Sequence, residues 1–142
     1  MPYSLLNCHS VTQKNREIYK EAGRQPSFTE DKFDEFDVAF VEGAIANKRD
    51  ELKLKEIREK SKKLVAIGAC AVNGMPASQR NLFDPETKKE IEFLIQRFNL
   101  NDKVYALHEL VQVDDNVSGC PMVEATFLQV LNKYLKEFGV TK

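Results

Sequence analysis

The chain has 142 residues, 42% apolar and 30% charged, with 21 Lys and Arg against 22 Asp and Glu for a formal net charge of -1. That length predicts one domain spanning residues 1–142, and the ordinary balance argues against disordered, collagen-like and coiled-coil chains. A charge this near zero gives no global electrostatic reason to bind nucleic acid or an anionic membrane, and no stretch approaches the roughly 18 consecutive apolar residues of a membrane span.

From Ser4 to about Ala22 the sparse apolar positions Leu5, Leu6, Val11, Ile18 and Tyr19 suit a helix, with Gly23 as its stop. Arg24 to Phe36 is polar and broken by Pro26, so it reads as a loop with at most a short strand around Ser27–Thr29. Asp37-Val-Ala-Phe-Val41 is a continuous apolar run punctuated by Glu42-Gly43, the pattern of a strand buried on both faces of a parallel sheet. Asn47 to Lys63 carries Leu52, Leu54 and Ile57 on an otherwise charged background, which predicts a crossover helix with a solvated outer face.

Lys63-Leu-Val-Ala-Ile-Gly68 repeats the buried-strand pattern and runs into a loop over Ala69 to Asn81. Asp84-Pro85 is an N-cap followed by an N1 proline, and Ile91, Leu94, Ile95 and Phe98 repeat at i, i+3, i+4 and i+7, predicting an amphipathic helix. An extended region covers Val104 to Val113, and Val117 leads into Ser118-Gly-Cys-Pro121. A last helix, about Met122 to Phe138, is expected to bury Val123, Phe127, Val130, Leu131, Tyr134 and Phe138, with Gly139 as its stop. Strands alternating with helices predict an α/β domain with right-handed crossovers.

Cys8, Cys70 and Cys120 are odd in number and widely spaced, unlike the disulfide framework of a small secreted domain. The first residues show neither a basic n-region nor a long apolar h-region, so a cytoplasmic protein is expected, its thiols free or serving a metal. In an open α/β sheet ligands collect beyond the carboxyl ends of the strands. Three segments meet that description: Glu42-Gly43, Gly68 to Gly74, and Ser118 to Met122. Gly68 and Gly119 stand close before the two cysteines, where glycine lets the backbone pass near a bulky ligand. Thiolates ringed by N–H donors suit an iron–sulfur cluster. Free cysteine also packs as a small buried hydrophobe, and spacing alone leaves both readings open.

The words Phe40-Val-Glu-Gly-Ala-Ile45, Leu64-Val-Ala-Ile-Gly-Ala-Cys-Ala71 and Val117-Ser-Gly-Cys-Pro121, in this order, resemble the small subunit of nickel–iron hydrogenases. The resemblance runs from about Ser4 to the C-terminus and is nearest to the short cytoplasmic type of NAD-linked hydrogenases and sulfhydrogenases, where Met75 to Asn81 also has a counterpart. The 20-kDa subunit of respiratory complex I is a relative that shares both cysteine loops but generally lacks the Val-Glu-Gly-Ala-Ile word.

The resemblance implies a flavodoxin-like three-layer sandwich with a mostly parallel sheet, holding a proximal [4Fe–4S] cluster. Its partners would be a large subunit carrying the nickel–iron site and diaphorase-type or other redox subunits. By that carry-over Cys70 and Cys120 match two of four cluster ligands, with Gly119 beside the cluster. Glu42 matches a carboxylate near the cluster and subunit interface, or one that only hydrogen-bonds loop amides.

The family's other two ligands come from a Cys-x-x-Cys loop after the first strand, and on that alignment Met1 falls on the second of them. The expectation is therefore a chain lacking the first strand and two ligands, with a weakly held cluster and two unpaired inner sheet edges, so that the remaining strands close up, pair with another chain or accept an added strand. Cys8 is a poor substitute, about 10 Å further along a helix at 1.5 Å per residue. His108 reads as a strand-edge or core histidine, and Asp114-Asp115 as a turn rather than a cation site. The competing function is a cluster-free scaffold that keeps the fold and the partner surface.

Overall fold

The computed structural model describes residues 5–7 and 35–140. In chain order these form β1 (Leu5–Asn7), β2 (Phe36–Glu42), β3 (Ile45–Asn47), α1 (Lys48–Lys60), β4 (Ser61–Ile67) and α2 (Gly68–Asn73). A 3-10 turn (Ala77–Leu82), α3 (Pro85–Arg97), β5 (Leu100–Tyr105), a second 3-10 turn (Leu107–Glu109), β6 (Asp115–Val117) and α4 (Glu124–Glu137) complete them.

The main sheet has the order β1-β2-β4-β6, and all three of its pairings are parallel. Alternation along its strands sorts the core into two layers. Ala39, Val41, Leu64 and Ala66 face one side with Leu54 and Ile57 of α1. Phe40, Val65, Ile67 and Val117 face the other with Phe127, Val130, Leu131 and Tyr134 of α4. The result is the expected three-layer α/β arrangement.

Asn47 caps α1 by accepting a 2.8 Å hydrogen bond from the Asp50 N–H. Leu54 and Ile57 are 1% exposed, but Leu52 is 59% exposed. Leu52 stands two residues before Leu54, about 200° round the helix at 100° per residue. Val123 is likewise 54% exposed, because it is the N-cap of α4 and precedes the buried stripe.

Leu5–Asn7 is a strand, not the start of a helix; it pairs with Phe40–Glu42 and gives that sheet edge its backbone partner. The rest of the expected helix up to Ala22, the strand around Ser27–Thr29, and Cys8 lie outside the described residues. The extended region expected from Val104 to Val113 is instead β5 followed by the 3-10 turn, and β5 pairs antiparallel with β3 in a separate two-stranded sheet.

The segment from Ala69 to Asn81, read as a loop, is ordered as α2 and the first 3-10 turn. Asn81 pins it to β5: its side-chain amide donates to the Val104 carbonyl and its carbonyl oxygen accepts from the Val104 N–H, both at 2.8 Å. Removing both bonds in Asn81→Ala is expected to lower stability by about 1–2 kcal/mol. Urea unfolding of the two proteins checks this, and equal midpoints would refute it.

Asp84 caps α3 as its sequence predicts, accepting at 3.0 Å from the N–H groups of both Glu86 and Thr87. The expected apolar stripe of α3 is not buried: Ile91 and Ile95 are half-buried, while Leu94 and Phe98 are exposed. The helix packs against β5 of the two-stranded sheet, and none of its residues joins either layer of the core.

The cysteine rim as candidate functional site

The parallel registers place Asn7, Glu42, Ile67 and Val117 side by side on the last rung of the four-stranded sheet. Beyond that rung β4 and β6 run the same course. Cys70 lies three residues after Ile67, and Cys120 three residues after Val117. The Ala69 N–H donates a 2.9 Å hydrogen bond to the Gly119 carbonyl, so the residues directly before the two cysteines are bonded to each other.

Glycine permits this closeness. Gly68 has φ +83°, and a Cβ added there would lie 3.6 Å from the Gly119 oxygen and 4.0 Å from Cγ of Glu42. Three strand ends thus meet at one point. Gly119 has φ +115° and starts a tight reversal in which it bridges Met122, leaving Cys120 and Pro121 at the tip. On the other loop the αL residue Gly74 closes α2, its N–H donating to the Cys70 carbonyl at 2.9 Å.

Both thiols are free, Cys70 partly covered and Cys120 exposed. Glu42 is exposed beside them, and among the described residues no loop amide is hydrogen-bonded to its carboxylate. Among the described residues, no three His, Cys, Asp or Glu side chains are grouped so as to hold a metal ion.

His108 is corrected from a core or strand-edge position to an exposed place on the second 3-10 turn, because the adjacent Leu107, 0% exposed, takes the core site. Its Nδ1 lies 3.1 Å from the Val72 carbonyl of α2. A carbonyl only accepts, so this nitrogen carries the proton. Asp114 and Asp115 are committed elsewhere, to Arg58 and to Lys133 and Tyr134 respectively. Sequence reading expected both cysteine loops at this rim; the bond between Ala69 and Gly119 is the contact it did not name, and its one local signal was a glycine close before each cysteine.

These features define a mixed α/β domain with two free thiols on hydrogen-bonded loops at the carboxyl rim of a mostly parallel sheet. The family described as NADH ubiquinone oxidoreductase, 20 Kd subunit, matches residues 4–134, and the chain belongs to that family. It is 29% identical over 111 residues to the delta subunit of the NAD-reducing hydrogenase HoxS of Cupriavidus necator, covering 67% of this chain and 53% of that protein. It is 30% identical over 120 residues to a subunit of the F420-non-reducing hydrogenase of Methanothermobacter marburgensis, covering 75% of this chain and 39% of that one.

The chain therefore spans about half or less of the length of these relatives. A crystal structure of an NAD+-reducing [NiFe]-hydrogenase in the H2-reduced state contains a chain with the same fold, at TM-score 0.64 and 27% identity over 86% of this chain and 79% of that one. No helix among the described residues is long and apolar enough to cross a membrane.

Proposed function

We propose that this chain is an electron-transfer small subunit of a cytoplasmic nickel–iron hydrogenase, a single domain in which Cys70 and Cys120 hold an iron–sulfur cluster. The observation that carries the reading is the hydrogen bond from Ala69 to Gly119, which brings two free cysteines to one rim of the sheet. The donor set fits such a group in kind, because thiolates are the usual ligands of these clusters and four are ordinarily required. Cys70 and Cys120 are half of such a shell. A partner chain or an added thiol would supply the rest.

When bound, the group stores and passes on single electrons. The protein's own part is to present two thiolates, to keep Gly68 and Gly119 free of side chains so that the loops close, and to set the Glu42 carboxylate at the rim. In this reading a large subunit with the nickel–iron site meets that rim, and a diaphorase-type or other redox subunit takes the electrons onward. The relatives named as hydrogenase subunits support it.

Anaerobic incubation of the whole chain with ferrous iron, sulfide and a thiol tests the proposal. The expected product carries iron and visible charge-transfer absorbance. Cys70→Ser and Cys120→Ser each retain at least about tenfold less iron, since even the loss of a residue supporting a ligand costs 10–100-fold in affinity. Iron retention indifferent to both substitutions would overturn it. The second reading, a cluster-free scaffold, is favoured by the presence of only two cysteines among the described residues. It expects no iron in the wild-type chain while binding to the large subunit persists.

A further inference from the structure

Helix α3 has no fully buried residue. Leu82 and Phe83, just before it, are 80% and 38% exposed, and Phe93, Leu94 and Phe98, at its far end, are 61%, 37% and 62% exposed. At about 100° per residue the last three fall within an arc of about 140°, with Glu90 and Arg97 between them. Apolar side chains therefore stand at both ends of a helix about 20 Å long. Scattered exposed leucines are ordinary, but five large apolar side chains on one helix, its C-cap and the turn that leads into it mark an interaction surface.

We propose that this face pairs with the same face of a second copy of the chain, the two α3 helices running antiparallel across a two-fold axis. That symmetry makes the surface its own complement. Leu82 and Phe83 of one protomer then cover Phe93, Leu94 and Phe98 of its partner. The first turn of α3 is acidic at Glu86 and the last is basic at Arg97, so the antiparallel arrangement sets opposite charges together at each end. The helix dipoles are opposed in the same arrangement.

The area is sufficient. An aromatic side chain offers roughly 150–250 Å², so these five expose on the order of 500 Å² per copy and about 1,000 Å² across the pair, the size at which a specific interface begins. None of the residues concerned belongs to the cysteine loops at 68–74 and 118–122.

Sedimentation equilibrium of the whole chain is the test, with circular dichroism to show that each variant is folded. The wild-type chain is expected to dimerise with a dissociation constant of about 10 µM or tighter, within the range such areas span. Phe98→Glu raises that constant at least about tenfold while the fold is kept, since Phe98 is exposed in the single chain. Arg97→Glu weakens the dimer about tenfold, and adding Glu86→Arg to it restores the wild-type value to within about threefold. A chain that stays monomeric at about 100 µM, or a dimer indifferent to Phe98→Glu and Arg97→Glu, would overturn the proposal.

Discussion

Gly119→Ala is expected to destabilise the protein by roughly 2–4 kcal/mol and to open the turn that presents Cys120. The backbone at Gly119 has φ +115°, where L side chains are strained, and the added Cβ would lie 2.6 Å from the Pro121 carbonyl oxygen and 3.2 Å from Cα of Met122. Both obstacles are backbone atoms, so no side chain can swing aside. Relief requires the Gly119–Met122 reversal to widen, which moves the carbonyl that accepts from Ala69 and separates the two cysteine loops.

Gly139→Ala is the control. Gly139 has φ +71° but nothing within 4 Å of its added Cβ, so only the conformational cost of about 1–2 kcal/mol is expected there. Urea unfolding of the two variants separates clash from strain. Equal losses would mean that the crowding at Gly119 is relieved without cost. In the iron-binding experiment Gly119→Ala is expected to impair retention as well, whereas Gly139→Ala leaves it unchanged.

Asp114→Ala is expected to lower stability at neutral pH by about 2–3 kcal/mol, because one carboxylate joins three elements. Its oxygen accepts from the Leu64 N–H and from the Arg58 guanidinium, each at 2.8 Å, which ties the segment before β6 to β4 and α1. Burial pushes the Asp114 pKa up. The hydrogen bonds from Leu64 and Arg58, with the charges of Arg58 and Lys63, outweigh burial and hold it below the ordinary carboxylate value.

Asp115 is held low in the same way, burial being outweighed by hydrogen bonds from Lys133 and Tyr134. The buried Tyr134 phenol, raised by burial and by Asp115, stays protonated and donates to it. For carboxylates whose folded pKa is depressed, the stabilisation is complete above the unfolded value of about 3.9 and is lost as pH falls through the folded value. Wild-type unfolding free energy is therefore expected to hold steady above pH ~5 and to decline below pH ~4. In Asp114→Ala that decline is shallower, and parallel pH profiles for the two proteins would refute the assignment.

Much of the layer structure was legible in the chain. The runs at Val38–Val41 and Leu64–Ile67 are strands, Asp84-Pro85 does start a helix, and Leu54, Ile57 and Tyr134 are buried where helical spacing predicted. These features depend on local periodicity and caps, which a few adjacent residues suffice to specify. Misreadings fall where burial depends on what lies opposite. Leu94 and Phe98 carry a sound amphipathic signal, yet the small β3–β5 sheet leaves them exposed. Leu5 and Leu6 suit a helix in isolation, but the available edge of β2 draws them into a strand.

By itself, then, the sequence determined most of the strand and helix types from β2 onward, the two cysteine words and the family to which they belong, because those are properties of neighbouring residues. Only the tertiary structure decided that Ala69 and Gly119, 50 residues apart in the chain, are joined by a hydrogen bond, and that α3 keeps an apolar face outside the core. The physical reason is that register and packing are set by pairing between distant strands, where the partner's position is nowhere written in the local pattern.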